Sequence, residues 1–110
     1  MKKFVFVYYG GHKKDDMSPE ERQEVMNKWM AWFGTFKDKQ VDGGNPFADN
    51  GHAVTADGAS LIPEDMWPAK GYTIINAKDM DEATEIAKGC PMIADGEKDA
   101  TVRVYEAMPM

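Results

Sequence analysis

The stretch from Ser18 to Gln40 constrains this chain more than any other. Val25, Met26, Trp29, Trp32, Phe33 and Phe36 recur at helical spacing, which predicts one long amphipathic helix. Ser18 stands where a cap belongs, Pro19 suits the first helical position, and Glu21 completes a capping box. Lys37 and Lys39 complement the negative end of the helix dipole. A helix face bearing two Trp and two Phe needs a broad apolar partner. A sheet is the natural one.

The rest of the chain supplies the strands. Phe4 to Tyr9 alternates Phe4, Phe6 and Tyr8 with Val5, Val7 and Tyr9, so both of its faces are apolar. A short strand is expected within Val41 to Pro46, after the helix. His52 to Ala56 and Ala59 to Ile62 flank Asp57-Gly58, a hairpin turn. Pro63 to Lys70 holds two prolines and reads as a loop, and Tyr72 to Ala77 reads as a strand. Asp79 caps a second helix with Glu82 three residues on, and Gly89 and Pro91 stop it. Met92 to Ala100 reads as a loop, and Thr101 to Ala107 as the last strand.

This order predicts an α+β fold: a ferredoxin-like plait with an extra hairpin, as one domain over residues 1–110. Both helices then cover one face of an antiparallel sheet. The other face is left bare, yet one apolar set of the first strand must look that way. The last strand opposes Val102 and Val104 to Arg103 and Tyr105 in the same manner. Such a patch predicts a homodimer joined through the sheet faces.

Charge excludes one class of partner. A net charge of −6 with a pI near 4.8 repels nucleic acid, which needs a basic patch. No stretch reaches membrane-spanning length. Lys2-Lys3 followed by Phe4 to Tyr9 resembles the start of a signal peptide, but six apolar residues fall short of the usual run of about 7–15. Cys90 is the single cysteine, so no intrachain disulfide forms. A cytoplasmic protein is expected.

Proton carriers are few. His12 lies in a Gly-rich loop after the first strand, and His52 opens the hairpin with Asp49 three residues before it. Asp49 and His52 are the candidate catalytic pair, against the alternative of an exposed loop histidine. No metal-ligand spacing links His12, Asp15, Asp49 and His52, and no cofactor motif occurs, so neither a metal nor a cofactor is expected. Trp29 and Trp32 read either as core packing or, with Tyr8, His12 and Tyr72, as the wall of a site for a small apolar ligand. Cys90, at the C-terminal end of a helix, reads as a small buried hydrophobe.

Taken in order, several segments resemble the YCII-related family, also called DGPF-domain proteins. They are Ser18-Pro19-Glu20, Val25 to Trp32, Val41-Asp42-Gly43-Gly44-Asn45-Pro46, Gly71 to Ile75, Asp81-Glu82-Ala83 and Lys88-Gly89-Cys90-Pro91. The resemblance spans essentially the whole chain. It implies sheets paired into a dimeric α+β barrel, but no single activity. Two departures stand out. Ala59-Ser60 follows Asp57-Gly58 where the family has Pro-Phe. Some relatives pair a helix histidine with an aspartate after the second strand. Asp49 matches the aspartate, but the helix position falls near Met26 and the helix holds no histidine. Two functions stay open: a small-molecule or enzyme-like pocket between the long helix and the sheet, or a non-catalytic regulatory or protein-binding module.

Overall fold

The computed structural model of the chain describes residues 1–11 and 17–110. Strand β1 (Lys2–Tyr9) leads to helix α1 (Pro19–Thr35), a 3-10 turn (Lys37–Lys39) and strand β2 (Gln40–Asp42). The hairpin of β3 (His52–Thr55) and β4 (Gly58–Leu61) follows, then a second 3-10 turn (Glu64–Met66) and β5 (Gly71–Ala77). Helices α2 (Met80–Lys88) and α3 (Pro91–Ala94) and strand β6 (Thr101–Ala107) complete the chain. The main sheet is antiparallel in the order β2-β5-β1-β6, which is the ferredoxin-like plait. The hairpin β3-β4 forms a separate two-stranded sheet.

Alternation decides which face is covered. Phe4, Phe6 and Tyr8 register beside Ile75, Thr73 and Gly71, and all six are buried. Val102 and Val104 of β6 join this inner face opposite Tyr8 and Phe6. Ala83 and Ala87 of α2, with Cys90 and Met92, pack onto the same core. The other face carries Val5, Val7 and Tyr9 next to Tyr72, Ile74, Arg103 and Tyr105. Arg103 lies 4.7 Å from the centre of the Tyr9 ring, a cation–π contact on that outer surface.

Helix α1 is shorter than expected. Phe36 leaves helical geometry at φ −130°, and the Thr35 hydroxyl donates to the Trp32 carbonyl at 2.6 Å, which competes with continued helix. Lys37 and Lys39 therefore fall in the following 3-10 turn. At the other end Ser18 accepts from the Glu21 amide at 3.2 Å, so the cap is where the sequence put it. Met26 does not share the inner face. It is 57% exposed, and Met30 one turn on is 64% exposed. The inward line runs through half-buried Trp29 and buried Trp32 and Phe36 instead.

Two further boundaries shift. The segment after Cys90 is not all loop: Pro91, which cannot extend α2, fits the first turn of α3. The hairpin turn is centred on Ala56-Asp57 rather than Asp57-Gly58, because Thr55 pairs with Gly58. The Thr55 hydroxyl accepts from the Asp57 amide at 3.2 Å and fastens this turn from within. Gly44 explains how β2 docks. At φ +76°, a Cβ there would lie 1.6 Å from the Tyr72 carbonyl oxygen, so only glycine allows the approach.

Candidate functional site

The aromatic residues under α1 form a continuous packed cluster. Trp32 stacks on Phe6 at 6.2 Å between ring centres and meets Phe36 edge-on at 4.8 Å. Trp29 meets Tyr8 edge-on at 5.1 Å and Trp32 at 5.5 Å. The Trp32 indole N–H donates to the Ile86 carbonyl at 3.0 Å, so its one polar atom is satisfied. These rings touch one another rather than framing a cavity.

Tyr8 is fastened by its hydroxyl. Thr73 Oγ1 donates to the Gly43 carbonyl at 3.0 Å, so the 2.6 Å bond between Tyr8 and Thr73 runs from the phenol to Thr73. Burial pushes the phenol well above its ordinary range, and it stays protonated. Burial also pushes the Cys90 thiol up to about 11, against opposing hydrogen bonds from the backbone at Met92 and Ile93. A neutral buried thiol is no nucleophile near neutral pH.

The expected set of pocket residues is therefore divided. Tyr8, Trp29 and Trp32 come together on the inner side of the sheet. Tyr72 pairs in register with Val7 and so lies on the outer side. Its hydroxyl donates to Asp42 Oδ2 at 3.3 Å, and its ring stacks on Phe47 at 5.8 Å. These four rings do not line one cavity, because neighbouring strand positions alternate in direction. His12 lies outside the described residues.

A cleft of about 360 Å³ opens elsewhere, at the root of the hairpin. Phe47, Ile62 and Pro68 give it apolar walls, and Asp49, Glu64 and Lys70 bring charge to it. Backbone bonds brace it at both ends: Phe47 N–H to the Lys70 carbonyl at 2.8 Å, and Ile62 N–H to the Gly51 carbonyl at 2.8 Å. The Lys70 ammonium bridges both carboxylate oxygens of Glu64, at 3.1 and 3.3 Å. Within the loop they close, Trp67 adopts left-handed geometry at φ +54°, costly for a bulky residue, and its N–H bonds to the Glu64 carbonyl.

Asp49 lines this cleft, whereas His52 follows it as the first residue of β3. The His52 ring bonds to the Asn50 carbonyl at 2.9 Å, not to Asp49. A carbonyl only accepts, so Nδ1 carries the proton there, and in the neutral ring Nε2 keeps its lone pair. Asp49 and His52 are thus neighbours at one loop without a hydrogen bond between them among the described contacts. Among the described residues, no group of three or more His, Cys, Asp or Glu side chains could hold a metal ion. The sequence reading passed over Phe47, Glu64 and Lys70. Glu64 and Lys70 lie in a Pro-bearing loop outside any α-helix or strand, so no periodic pattern pairs them, and only the prolines signal a fixed turn.

The profile of the YCII-related domain matches residues 4–107. The chain belongs to the YCII-related family. Among solved structures it is similar to TftG, a 5-chloro-2-hydroxyhydroquinone dehydrochlorinase from Burkholderia phenoliruptrix AC1100 solved with 2,5-dihydroxybenzoquinone. That likeness has 18% identity and a TM-score of 0.54, over 94% of this chain and 93% of TftG. A second similar structure is At3g17210 from Arabidopsis thaliana, at 14% identity and a TM-score of 0.46, over 100% of this chain and 96% of the other. No curated protein matches the chain. At 18% identity TftG bears on the fold alone. With the YCII-related family, the helix histidine of some relatives has no counterpart here, and the position near Met26 is on the exposed side of α1.

Proposed function

We propose that this YCII-related protein binds a small, largely apolar molecule with a polar end, and that it does so as a homodimer. The observation that carries the reading is the cleft at the hairpin root. Its volume of about 360 Å³ lies at the lower end of ligand sites, and its apolar walls with a few charged groups have their usual make-up. Phe47 offers a ring face for a flat molecule, and Lys70 and Asp49 offer an ammonium and a carboxylate for its polar end. His52, with Nε2 free to accept, stands next to the cleft as the one histidine among the described residues, with Asp49 as its charged neighbour. This moves the expected pocket away from the ring cluster under α1. That TftG was solved with a flat, oxygen-substituted ring compound agrees in ligand size class, but this is fold-level analogy. The single cysteine, buried and uncoupled to any disulfide, suits a reducing cytoplasm. No helix among the described residues is long and apolar enough to cross a membrane.

Thermal melts with 2,5-dihydroxybenzoquinone, catechol and benzoate at millimolar concentration test the reading. At least one compound should raise the midpoint of the wild type and fail to raise that of Ala69→Trp, which fills the cleft. If none does, the small-molecule reading fails.

A second reading, a protein-binding module, has one observation in its favour. Met26 and Met30 form an exposed apolar pair one turn apart on α1, and Glu20, Glu24 and the net charge of −6 would steer a basic partner toward it. Recovery of no partner from native lysate, at low and moderate salt, removes it.

A further inference from the structure

The hairpin β3-β4 departs from the packing of the rest of the chain. Every residue from His52 to Leu61 is exposed. An isolated two-stranded hairpin is marginal in water and needs a cover for its apolar face. The register gives it such a face. His52 pairs with Leu61 and Val54 with Ala59, while Ala53 pairs with Ser60 and Thr55 with Gly58 on the reverse. Val54 is 78% exposed and Leu61 55%. The hairpin also stands away from the body. The chain has a radius of gyration of 15.0 Å, against about 13 Å for a compact domain of this length.

Three observations together favour a second copy of this chain as the cover. The first is area. The main sheet has strands of eight, three, seven and seven residues, for β1, β2, β5 and β6. At about 3.3 by 4.8 Å per residue its outer face has a footprint of roughly 400 Å². A stable interface buries about 800 Å² on each partner. Side-chain relief raises the footprint, but the sheet face alone stays at the low end, and an arm from each copy supplies the rest. The second is continuity. Phe47, which leads into the arm, stacks on Tyr72 of the outer sheet face, so arm root and sheet face share one surface. The third is charge. From Asn50 to Ile62 the one charged side chain is Asp57, at the turn. An arm so free of charge suits the apolar and tyrosine side chains of that face, Val5, Tyr9, Ile74 and Tyr105, where the one cation among these neighbours, Arg103, is held over the Tyr9 ring, rather than a strongly basic or acidic partner.

We propose that the β3-β4 arm of each copy lies across the other copy, burying Val54 and Leu61 and carrying His52 against the partner. The inference rests on the homodimer reading above and extends it: the histidine beside each cleft becomes part of a surface that only the pair completes.

The double variant Val54→Lys/Leu61→Lys tests this directly. Both positions are exposed in the single chain, so the fold should keep its tryptophan emission and melting profile. Sedimentation should show a wild-type dimer at low micromolar concentration and a dissociation constant at least a hundredfold weaker in the variant. A variant that dimerises as tightly as the wild type overturns the arm and leaves sheet pairing standing. A wild type that stays a 12.3 kDa monomer overturns both. Hydrogen exchange gives an independent readout. Amides of 52–61 should exchange at least tenfold more slowly in the wild-type dimer than in Val7→Lys, which disrupts the outer sheet face. Equal exchange in a wild type shown to be dimeric against a monomeric Val7→Lys overturns the arm again.

Discussion

The strand β1 and the strand β3 obey the same rule of alternation and come to opposite ends. In β1 the alternation sorts Phe4, Phe6 and Tyr8 into a core beneath the helices, with Val5 and Val7 half-covered on the far side. In β3 it sorts His52 and Val54 from Ala53 and Thr55, and both sets stay exposed. The local code is equally clear in the two places. What differs is the presence of a third layer. The plait has α1 and α2 to lay over its inner face, whereas among the described residues no helix or strand of the chain covers the arm. Local pattern therefore fixes which residues share a face, but burial depends on what the topology brings to that face. Chemistry divides along the same boundary. The satisfied, strongly shifted groups Tyr8 and Cys90 belong to the covered half, while Asp49, His52 and Lys70 lie toward the root of the arm.

The most severe way to break the covered half is to remove its central ring. Trp32→Ala takes away contacts with Phe6, Phe33 and Phe36 and the indole bond to Ile86. Unfolding in urea should show a loss of about 3–5 kcal/mol. A loss below about 1 kcal/mol would mean that the ring cluster is not a packed core, and the contrast with the arm would fall with it.

The next effect is one of pH. The Cys90 thiol is raised by burial from 9.0 to about 11 in the folded protein. Between those values the unfolded chain binds fewer protons than the folded one, so stability falls as pH rises. The contribution is fully present below about pH 9 and is lost by about pH 11, a change on the order of 2–3 kcal/mol. Tyr8 is raised as well, and its share is lost at still higher pH. Urea midpoints at pH 8 and pH 11 should converge in Cys90→Ala relative to the wild type. An unchanged slope in that variant would show that the thiol is not desolvated.

A smaller effect separates hydrogen bonding from packing within the same half. Tyr8→Phe keeps the ring against Trp29 and removes only the bond to Thr73, which still donates to Gly43. The expected loss is about 1 kcal/mol in urea unfolding. A loss approaching that of Trp32→Ala would place the strength of β1 in its polar chain rather than its rings.

Much of the plait was legible in the sequence because its signals are local and agree with one another. Ser18 and Asp79 cap where their residue types imply, and Thr101 to Ala107 is a strand with the expected bounds. Other features were not legible because they depend on contacts far apart in sequence. Nothing local distinguishes exposed Met26 from half-buried Trp29; the position of the sheet decides it. Pro91 reads equally as the end of one helix and the start of the next, and its second role as the first residue of α3 was missed. The centre of the hairpin turn moved by one residue because the Thr55 hydroxyl, not the Asp57-Gly58 pair, organises it. The candidate site was legible only in Asp49 and His52. The cleft depends on Phe47 meeting Lys70 through the backbone and on Lys70 reaching back to Glu64, pairings between residues that lie outside α-helices and strands.

The smallest expected effect is the sharpest test of the uncovered half. Val54→Ser shortens an apolar side chain that is 78% exposed, opposite Ala59. In a single chain the valine is about as wet when folded as when unfolded, so little transfer free energy is at stake. Strand propensity falls slightly with the loss of β-branching. The stability change should therefore stay within about 0.5 kcal/mol. The measurement belongs in the Val7→Lys background, where pairing of copies is disrupted and cannot contribute. A loss above about 1 kcal/mol there would mean that Val54 is packed within its own chain. The difference between β1 and β3 would then lie in how much of the arm is covered, not in whether it is covered at all.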